Sequence, residues 1–346
     1  WFMRAGEGRG YLSVVSQTMG GTQPLEATTI LGEPGAVYAS HQALYVATRL
    51  RRNADAEWFE GIDAPEASVV HRFDLLKEGD PLSGERPYVN YLGSAAVPGL
   101  VIGQFAMDER AGHLRIATSF GYDWGDDPVE FAGPGVDGDG DDVVPGGPPA
   151  PRANAEASIA ILRGAPGELE VAGQVSGIAA NAQISAIRFQ DSRAFLSFES
   201  GGPLRLVDFS DPFAPSAAGS VPVTGTLRYI QSIDDARILT AGTVSGGGVV
   251  LQLIDLSDPS APEALGQAVE AGGVSEAVTN HLAFNYYPAL NALAIPMGVC
   301  EAGMLAFDGL YLYSVSGEGF EEKGRVAHVD VGPNQICGLE GSTVKR

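Results

Sequence analysis

The sequence predicts an all-β protein built from a repeated small sheet. The phrase LVDFSDPFAP at 206–215 recurs as LIDLSDPSAP at 253–262, so that the aligned aspartates lie 47 positions apart. A glycine follows each copy at the same offset. Gly 46 and Pro 22 together make about a fifth of the 346 residues, a composition that suits many tight turns better than long helices.

The same glycine can be followed along the chain and marks five repeats. An alternating apolar stretch such as LRLVDFS or LYLYSVS precedes each one, a pattern typical of a half-buried strand. Successive glycines lie 80, 46, 47 and 58 residues apart. A low-complexity block at 123–155 accounts for the first excess, and we expect a glycine-rich insertion at 297–309 to account for the last. The glycines are Gly93, Gly173, Gly219, Gly266 and Gly324.

Each repeat opens with two short apolar runs around a turn, as in AIRFQDSRAFLSF at 186–198, which predicts a hairpin. Two hairpins per repeat give about four antiparallel strands. A small twisted sheet cannot cover both of its faces alone, whereas sheets arranged radially pack on one another, so the repeat predicts the blades of a β-propeller. A β-solenoid and tandem sandwiches are the alternatives. Asp211-Pro212 and Asp258-Pro259 are expected to form turns with a structural role.

We expect a single β-propeller domain over residues 1–346, with five clear repeats and partial blades at both ends. The segment GYLSVVSQT at 10–18 predicts one further strand, and QICGLEGSTVKR at 335–346 predicts the start of another blade. Because the chain opens on Trp1 and stops within a strand-like segment, we interpret it as a fragment of a longer protein. The block at 123–155 is interpreted as an acidic, Gly/Pro-rich insertion.

The charge of the chain limits its partners. The net charge is −22, from 43 acidic and 21 basic residues. Such a surface repels phosphate backbones, so we expect no nucleic-acid partner, while cations become plausible small ligands. The sequence has no apolar run of the length that crosses a membrane, so no transmembrane segment is expected in this chain.

Several motifs resemble a known family. They include YLSVVSQT at 11–18, VVHRFDL at 69–75 and, most specifically, VPGLVIGQFAMDERAGHLRIATS at 97–119. With the repeated VDxSDPxxP phrase, they resemble the bacterial secreted proteins that contain a C-terminal β-propeller domain distantly related to WD repeats. The resemblance implies export to the cell envelope. It supplies neither an agreed substrate nor catalytic residues.

The acidic block contains a candidate calcium site. Asp137, Asp139 and Asp141 alternate with glycines, with Asp142 beside them, and this spacing puts hard oxygen ligands on one side of a tight loop. Calcium favours such ligands. A solvated acidic loop is the alternative.

The remaining candidates are cysteines, histidines and tryptophans. Cys300 and Cys337 are predicted to form one disulfide across neighbouring repeats in an oxidising compartment, with two buried thiols as the alternative. The histidines form no HxH or HExxH pair, and for His281 a structural role is favoured over a metal ligand or a base facing the channel. Aromatic side chains near loops could stack on sugars. They are Trp1, Trp58 and Trp124.

The sequence therefore predicts a secreted or cell-envelope β-propeller that acts as a binding scaffold for a protein or carbohydrate partner. Its binding surface would be the loops at one end of the ring. The alternative is an extracellular hydrolase or lyase with its site at the central channel and calcium as its cofactor, for which no catalytic residue can be named. A structural surface module is a third possibility.

The calcium hypothesis makes a direct prediction. Titration of the protein with calcium in a calorimeter should show sub-millimolar binding, because alternating carboxylates supply the oxygen ligands that the ion prefers. The substitution Asp139→Ala should abolish the heat. A wild-type protein that gives no heat would contradict the site.

Overall fold

A computed structural model describes residues 10–17, 25–51, 62, 64–75, 89–122, 151–165, 168–258 and 261–328. The chain divides into two compact units, Trp1–Gln183 and Ile184–Arg346. Within the described ranges every strand pair is antiparallel, which confirms the all-β prediction and excludes the parallel neighbours of a solenoid. No helix in these ranges has the length and apolar character needed to cross a membrane.

Unit 1 contains a two-stranded sheet and two larger sheets, which we number 1 and 2. The two-stranded sheet consists of β1 (Tyr11–Ser16), the predicted additional strand, and β2 (Glu26–Leu31). Sheet 1 consists of β3 (Glu33–Ala39), β4 (Ala43–Arg51), β5 (Glu66–Leu75) and β6 (Val89–Pro98). Sheet 2 consists of β7 (Leu100–Val101), β8 (Met107–Arg110), β9 (His113–Tyr122), β10 (Pro151–Ala165) and β11 (Glu168–Val175).

Unit 2 contains sheets 3, 4 and 5, whose strands also pair as meanders. Sheet 3 consists of β12 (Ile184–Gln190), β13 (Arg193–Phe198), β14 (Leu204–Asp208) and β15 (Ser216–Val221). Sheet 4 consists of β16 (Thr226–Ser232), β17 (Arg237–Thr243), β18 (Gly248–Asp255) and β19 (Glu263–Ala271). Sheet 5 consists of β20 (Gly273–Val274), β21 (Asn285–Tyr287), β22 (Ala292–Glu301), β23 (Met304–Ser316) and β24 (Gly319–Ala327).

Each repeat glycine lies on the outermost strand of its sheet, directly after a β-bulge. In sheet 4, Leu253 pairs with Gly266 and Ile254 pairs with Ala264, so that Leu265 is left without an opposite residue. The same shift of one residue precedes the glycine in the other four sheets. Because a bulge bends and twists its strand, the glycine marks the same bend of the outermost strand in all five sheets. The five predicted repeats are therefore five sheets.

Close approach between neighbouring sheets explains the glycine in two of them. A Cβ atom on Gly266 would lie 2.8 Å from the Cα of Gly319 in sheet 5. A Cβ atom on Gly93 would lie 2.5 Å from the Cα of Glu168 in sheet 2. Only a residue without a side chain allows the backbones of the two outermost strands to come this close.

The repeated phrase forms the turn between the third and fourth strands of sheets 3 and 4. The Asp208 carboxylate accepts hydrogen bonds from the N–H and the hydroxyl of Ser210, at 3.0 and 2.8 Å. Asp255 is bound in the same way in sheet 4. The Asp211 carboxylate accepts a bond of 2.9 Å from the N–H of Phe213, as expected for a side chain that caps a turn.

The extra residues of the last repeat lie in two places, and only part of them lies at 297–309 as predicted. The hairpin of β22 and β23 is four residues longer than its counterpart, because Gly298 pairs with Asp308 ten positions on, whereas in sheet 4 Thr243 pairs with Val249 six positions on. The first strand of sheet 5 is also split into β20 and β21, which pair with different parts of β22, and 275–284 lies between them. From Gly266 to Asn285 there are 19 residues, against 12 from Gly219 to Gln231 at the matching register of sheet 4, and these seven residues make up the rest of the excess.

Apolar side chains of facing sheets pack together in unit 2. Leu239 and Leu253 of sheet 4 share one buried cluster with Leu293 and Tyr311 of sheet 5. A second cluster joins sheets 3 and 4 and includes Leu206. Each sheet thus covers the face that its neighbour could not cover alone, which is the physical reason for the repeat.

One histidine is part of the interior of unit 1. His71 in β5 is 1% exposed, and its Nδ1 atom lies 3.2 Å from the hydroxyl of Tyr91 in β6. Burial lowers the pKa of His71 to about 4, because the charged imidazolium would lose its hydration. His71 is therefore a neutral structural residue at neutral pH.

The glycine at the bulge of sheet 4 is predicted to be indispensable for stability. The substitution Gly266→Ala should lower the free energy of unfolding by about 1–3 kcal/mol, because the new methyl group must displace the backbone of sheet 5. Chemical denaturation measures the change. Gly317→Ala, in the adjacent hairpin turn, is the matched control, since a Cβ there meets nothing within 4 Å. Equal stability of the two variants would refute the close-approach argument.

Burial of His71 predicts a pH-dependent stability. The unfolded chain protonates this histidine near pH 6.5 and the folded chain near pH 4, so the unfolded state binds more protons between these values. Stability is therefore full above pH 6.5 and falls as the pH is lowered toward 4, with His71 contributing on the order of 2 kcal/mol between pH 7 and pH 5.

Denaturation curves at the two pH values test this contribution. His71→Gln should flatten the dependence on pH, whereas His41→Gln, at an exposed position, should leave it unchanged. An unchanged slope in the His71 variant would show that this residue is not the source.

Candidate functional site

In each sheet of unit 2, two of the three turns lie at the same end of the sheet. In a four-stranded meander, the turn between strands one and two and the turn between strands three and four share one end, which we call the hairpin end. The Gln190 side chain donates a hydrogen bond of 2.8 Å to the carbonyl of Asp234, so the first turns of sheets 3 and 4 are neighbours. Gly319, at the second turn of sheet 5, lies against Gly266 of sheet 4. The hairpin ends of the three sheets therefore form one surface.

Sheet 5 differs from the other sheets in the chemistry of its first turn. Residues 287–290 read Tyr-Pro-Ala-Leu, and we call this segment the apolar turn. The side chains of Tyr287 and Leu290 are 60% and 71% exposed. The exposed residues in the first turns of the other sheets are polar or small: Ser40-His41-Gln42, Ala111-Gly112, Asp191-Ser192 and Asp234-Asp235-Ala236, the last preceded by Ile233, which packs on the core.

The apolar turn is held in one conformation by its neighbours. Pro288 begins a 3₁₀ turn that ends at Asn291, which adopts a left-handed conformation with φ 49°. The Tyr286 hydroxyl donates to the Asn291 side chain at 3.1 Å. The Val315 N–H donates to the Asn291 carbonyl at 2.8 Å, which joins the first turn of sheet 5 to its third strand.

The segment 275–284 packs against the core of sheets 4 and 5. Ser275 and Asn280 cap two short 3₁₀ turns, accepting hydrogen bonds from the N–H groups of Ala277 and Leu282. Ala277 is 1% exposed and belongs to the core that joins sheets 4 and 5. The inserted segment is thus a packed part of the sheet.

Two carboxylates of sheet 4 lie at the hairpin end next to sheet 5. Partial burial raises the pKa of Asp234, but hydrogen bonds from Arg237 outweigh this effect and hold the pKa below its usual range. The hydroxyl and N–H of Ser257 hold the pKa of Asp255 below its ordinary value. Both side chains are negatively charged at neutral pH.

A network of ionisable side chains in unit 1 joins sheets 1 and 2. Glu109 of β8 accepts a hydrogen bond from the Ser40 hydroxyl and lies 4.0 Å from Arg72, which pairs with Asp74 at 2.8 Å. The Glu109 N–H donates to the Tyr38 hydroxyl at 3.0 Å. Each charged side chain in this network lies beside a side chain of opposite charge. The network fixes sheet 1 against sheet 2, and the sequence did not predict any of its members as a site residue.

The predicted calcium ligands and one predicted cysteine cannot be placed. Asp137, Asp139, Asp141 and Asp142 lie outside the described residues, as do Cys337 and the three tryptophans. The last residues of the predicted insertion, 151–155, begin β10. Cys300 lies in β22, and the disulfide stays a prediction. Within the ranges that the structure describes, no three His, Cys, Asp or Glu side chains are grouped to hold a metal ion.

The histidines are as scattered in the structure as they are in the sequence. His281 lies in a 3₁₀ turn of the inserted segment, and His113 contacts the carbonyl of Ala111 at 3.1 Å. His328 follows β24, where its N–H donates to the carbonyl of Asp308 at 2.8 Å. These positions do not bring any two histidines into one site.

The apolar turn was missed by sequence reasoning, although the signal was present. The stretch NYYPALN at 285–291 falls where the repeat predicts the turn of the opening hairpin. Its Tyr-Pro-Ala-Leu core stands where the turns of the aligned repeats expose polar or small residues. Alignment of the repeats at this turn would have shown the difference.

The chain is similar to several proteins of known sequence. An uncharacterized protein of Archaeoglobus fulgidus is 27% identical over 155 residues, covering 44% of this chain and 19% of the relative. An uncharacterized protein of Methanocaldococcus jannaschii is 26% identical over 155 residues, covering 44% of this chain and 20% of the relative. The aligned stretch thus spans about a fifth of the length of these curated relatives.

Solved structures show similarity over most of the chain at low identity. Hydrazine synthase of Kuenenia stuttgartiensis matches with a TM-score of 0.47 and 12% identity, covering 94% of this chain and 72% of that one. The periplasmic gluconolactonase of Pseudomonas aeruginosa matches with a TM-score of 0.45 and 11% identity, covering 92% and 83%. Similarity at this level does not extend to ligand or activity. A family model described as the beta propeller domain matches residues 1–346, and the chain belongs to this family.

Proposed function

We propose that this chain is a binding module exported to the cell envelope, and that it holds a partner protein at the hairpin end of unit 2. The apolar turn of sheet 5 carries the proposal. It places Tyr287 and Leu290 in solvent at a position where the other sheets have polar or small residues.

Exposure of the Tyr287 and Leu290 side chains to water is unfavourable in free energy, and a partner that covered them would remove this contribution. Covering a large apolar side chain stabilises a complex by about 1.5–3 kcal/mol. Tyrosine is also enriched among the residues that dominate binding interfaces, because its ring is large and has few rotamers. Neither side chain belongs to the buried clusters of unit 2, so the fold does not explain their chemistry.

The rigidity of the turn favours binding as well. Association requires the interface side chains and loops to become ordered, and this ordering weakens binding. Here the hydrogen bonds of Asn291 fix the turn in advance. Less free energy is then lost on contact with a partner.

Export is supported by the resemblance to bacterial secreted propeller proteins. The predicted disulfide between Cys300 and Cys337 fits the same location, since disulfides persist in oxidising compartments. The predicted calcium loop at 137–142 fits it too, and both remain proposals.

A peptide-display selection against the intact protein tests the docking surface. We expect the selected peptides to lose binding by about tenfold in Leu290→Ser, because truncation of a central apolar anchor typically removes this much affinity. Since Leu290 is exposed, thermal unfolding of the variant should match that of the wild type.

Val171→Ser is the matched control. Val171 is an apolar side chain, 47% exposed, on the outermost strand of sheet 2 in unit 1. Peptides that bind the Leu290 variant as well as the wild type would show that the apolar turn is not the docking surface.

A further inference from the structure

We infer that the partner of the hairpin end is a protein segment with an apolar centre flanked by lysine or arginine side chains. This inference rests on the proposed function and adds the chemistry of the partner. It follows from the charges that the fold collects around the apolar turn.

The turns of unit 2 carry acidic side chains in large excess. The bases at the described turns and the strand ends beside them are Arg193 and Arg237, so nine acids face two bases and the local net charge is −7. Residues 184–322 contain no lysine. The acids are Asp191, Asp208, Asp211, Asp234, Asp235, Asp255, Asp258, Glu263 and Glu318.

Two sets of contacts bring these acids next to the apolar turn. Asp234 and Arg237 at the first turn of sheet 4 interact electrostatically with Tyr286, the residue before the apolar turn. Within sheet 5, the hydrogen bond from Val315 to Asn291 places the second turn, which carries Glu318, beside the first. The apolar turn thus stands between acidic turns on two sides.

Several of these charges are open to a partner. Asp235 and Glu318 are exposed, and neither makes an ion pair within the described part of the chain. Asp234 is paired with Arg237, but Asp255 is held by neutral serine groups and keeps its negative charge. Lysine or arginine side chains on a partner would compensate the charges that the protein leaves unbalanced.

The same negative charges disfavour binding of a second copy of this chain, or of a peptide without basic side chains, at the hairpin end. A second copy of the chain would bring its own acidic hairpin end against this one, and like charges across an interface cost binding free energy. An acidic or purely apolar peptide would leave the excess carboxylates uncompensated. A basic, apolar segment matches both features.

Three synthetic fluorescent peptides test the inference by anisotropy with the intact protein. They share one Leu-Phe centre, which lysines flank in the first peptide, serines in the second and glutamates in the third. We expect the lysine peptide to bind about tenfold more tightly than the serine peptide, and the glutamate peptide not to bind. Raising the salt from 0.1 M to 1 M shortens the screening length from about 10 Å to about 3 Å and should remove the advantage of lysine.

Charge variants locate the effect. The double substitution Asp235→Asn and Glu318→Gln should weaken binding of the lysine peptide by about fivefold and leave the serine peptide unchanged. The control is Glu26→Gln with Glu301→Gln, which removes two exposed carboxylates that lie outside the turns of the hairpin end. Equal weakening by both doubles would overturn the inference, because net charge alone would then explain it.

The outcomes separate this inference from the proposed function. If the three peptides bind equally and Leu290→Ser abolishes all binding, the docking surface stands and the charge inference is wrong. If the lysine peptide binds Leu290→Ser as tightly as the wild type, both are wrong. Self-association that depends on Leu290 would identify a second copy as the occupant and overturn the inference.

Discussion

A sheet of four short strands has two faces and too little thickness to bury either by itself. Every repeated feature of this chain follows from the need to cover those faces. Leu253 of sheet 4 packs with Leu293 of sheet 5, while Leu206 of sheet 3 belongs to the cluster on the other side of sheet 4. The outermost strands of sheets 4 and 5 also come into close contact. The bulge and its glycine at Gly266 allow this contact with Gly319, so burial of the faces fixes the repeat down to single residues.

Local chemistry explains why the repeat could be predicted from the sequence. The alternation of apolar and polar residues, the turn residues and the repeated glycine are short-range signals in the sequence. The structure confirms the predicted repeat, since Gly219 and Gly266 lie at the same place on bulged outermost strands. The period revealed the extra residues of the last repeat but not all of their positions. The glycine-rich sequence at 297–309 marks the lengthened hairpin of β22 and β23, whereas the larger insertion, 275–284, contains apolar residues such as Ala277 and resembles a strand. Only packing against the neighbouring sheet shows that 275–284 is an insertion.

The candidate site was less predictable for a different reason. Acidic residues were visible in the sequence as an excess over basic ones, but their grouping depends on which turns share an end. Asp234 and Glu318 are far apart in the chain and come to one surface only because each lies at a turn of the same kind. The network of Glu109 with Ser40 and Arg72 was invisible in the same way, since it joins residues of different sheets. Side chains that act together across repeats carry no short-range signal.

The fold leaves some positions free, and function can use only those. In the core, Leu253 and Tyr311 are dictated by burial, and at the bulge Gly266 is dictated by close approach. At the turns, Asp255 accepts hydrogen bonds from Ser257, whereas Asp235 and Leu290 are exposed and make no side-chain hydrogen bond or ion pair within the described part of the chain. An exposed aspartate is stabilised by water, whereas an exposed leucine is unfavourable in it. A partner that presents an apolar side chain between basic ones would satisfy both, and this is the chemistry of the docking surface that we propose.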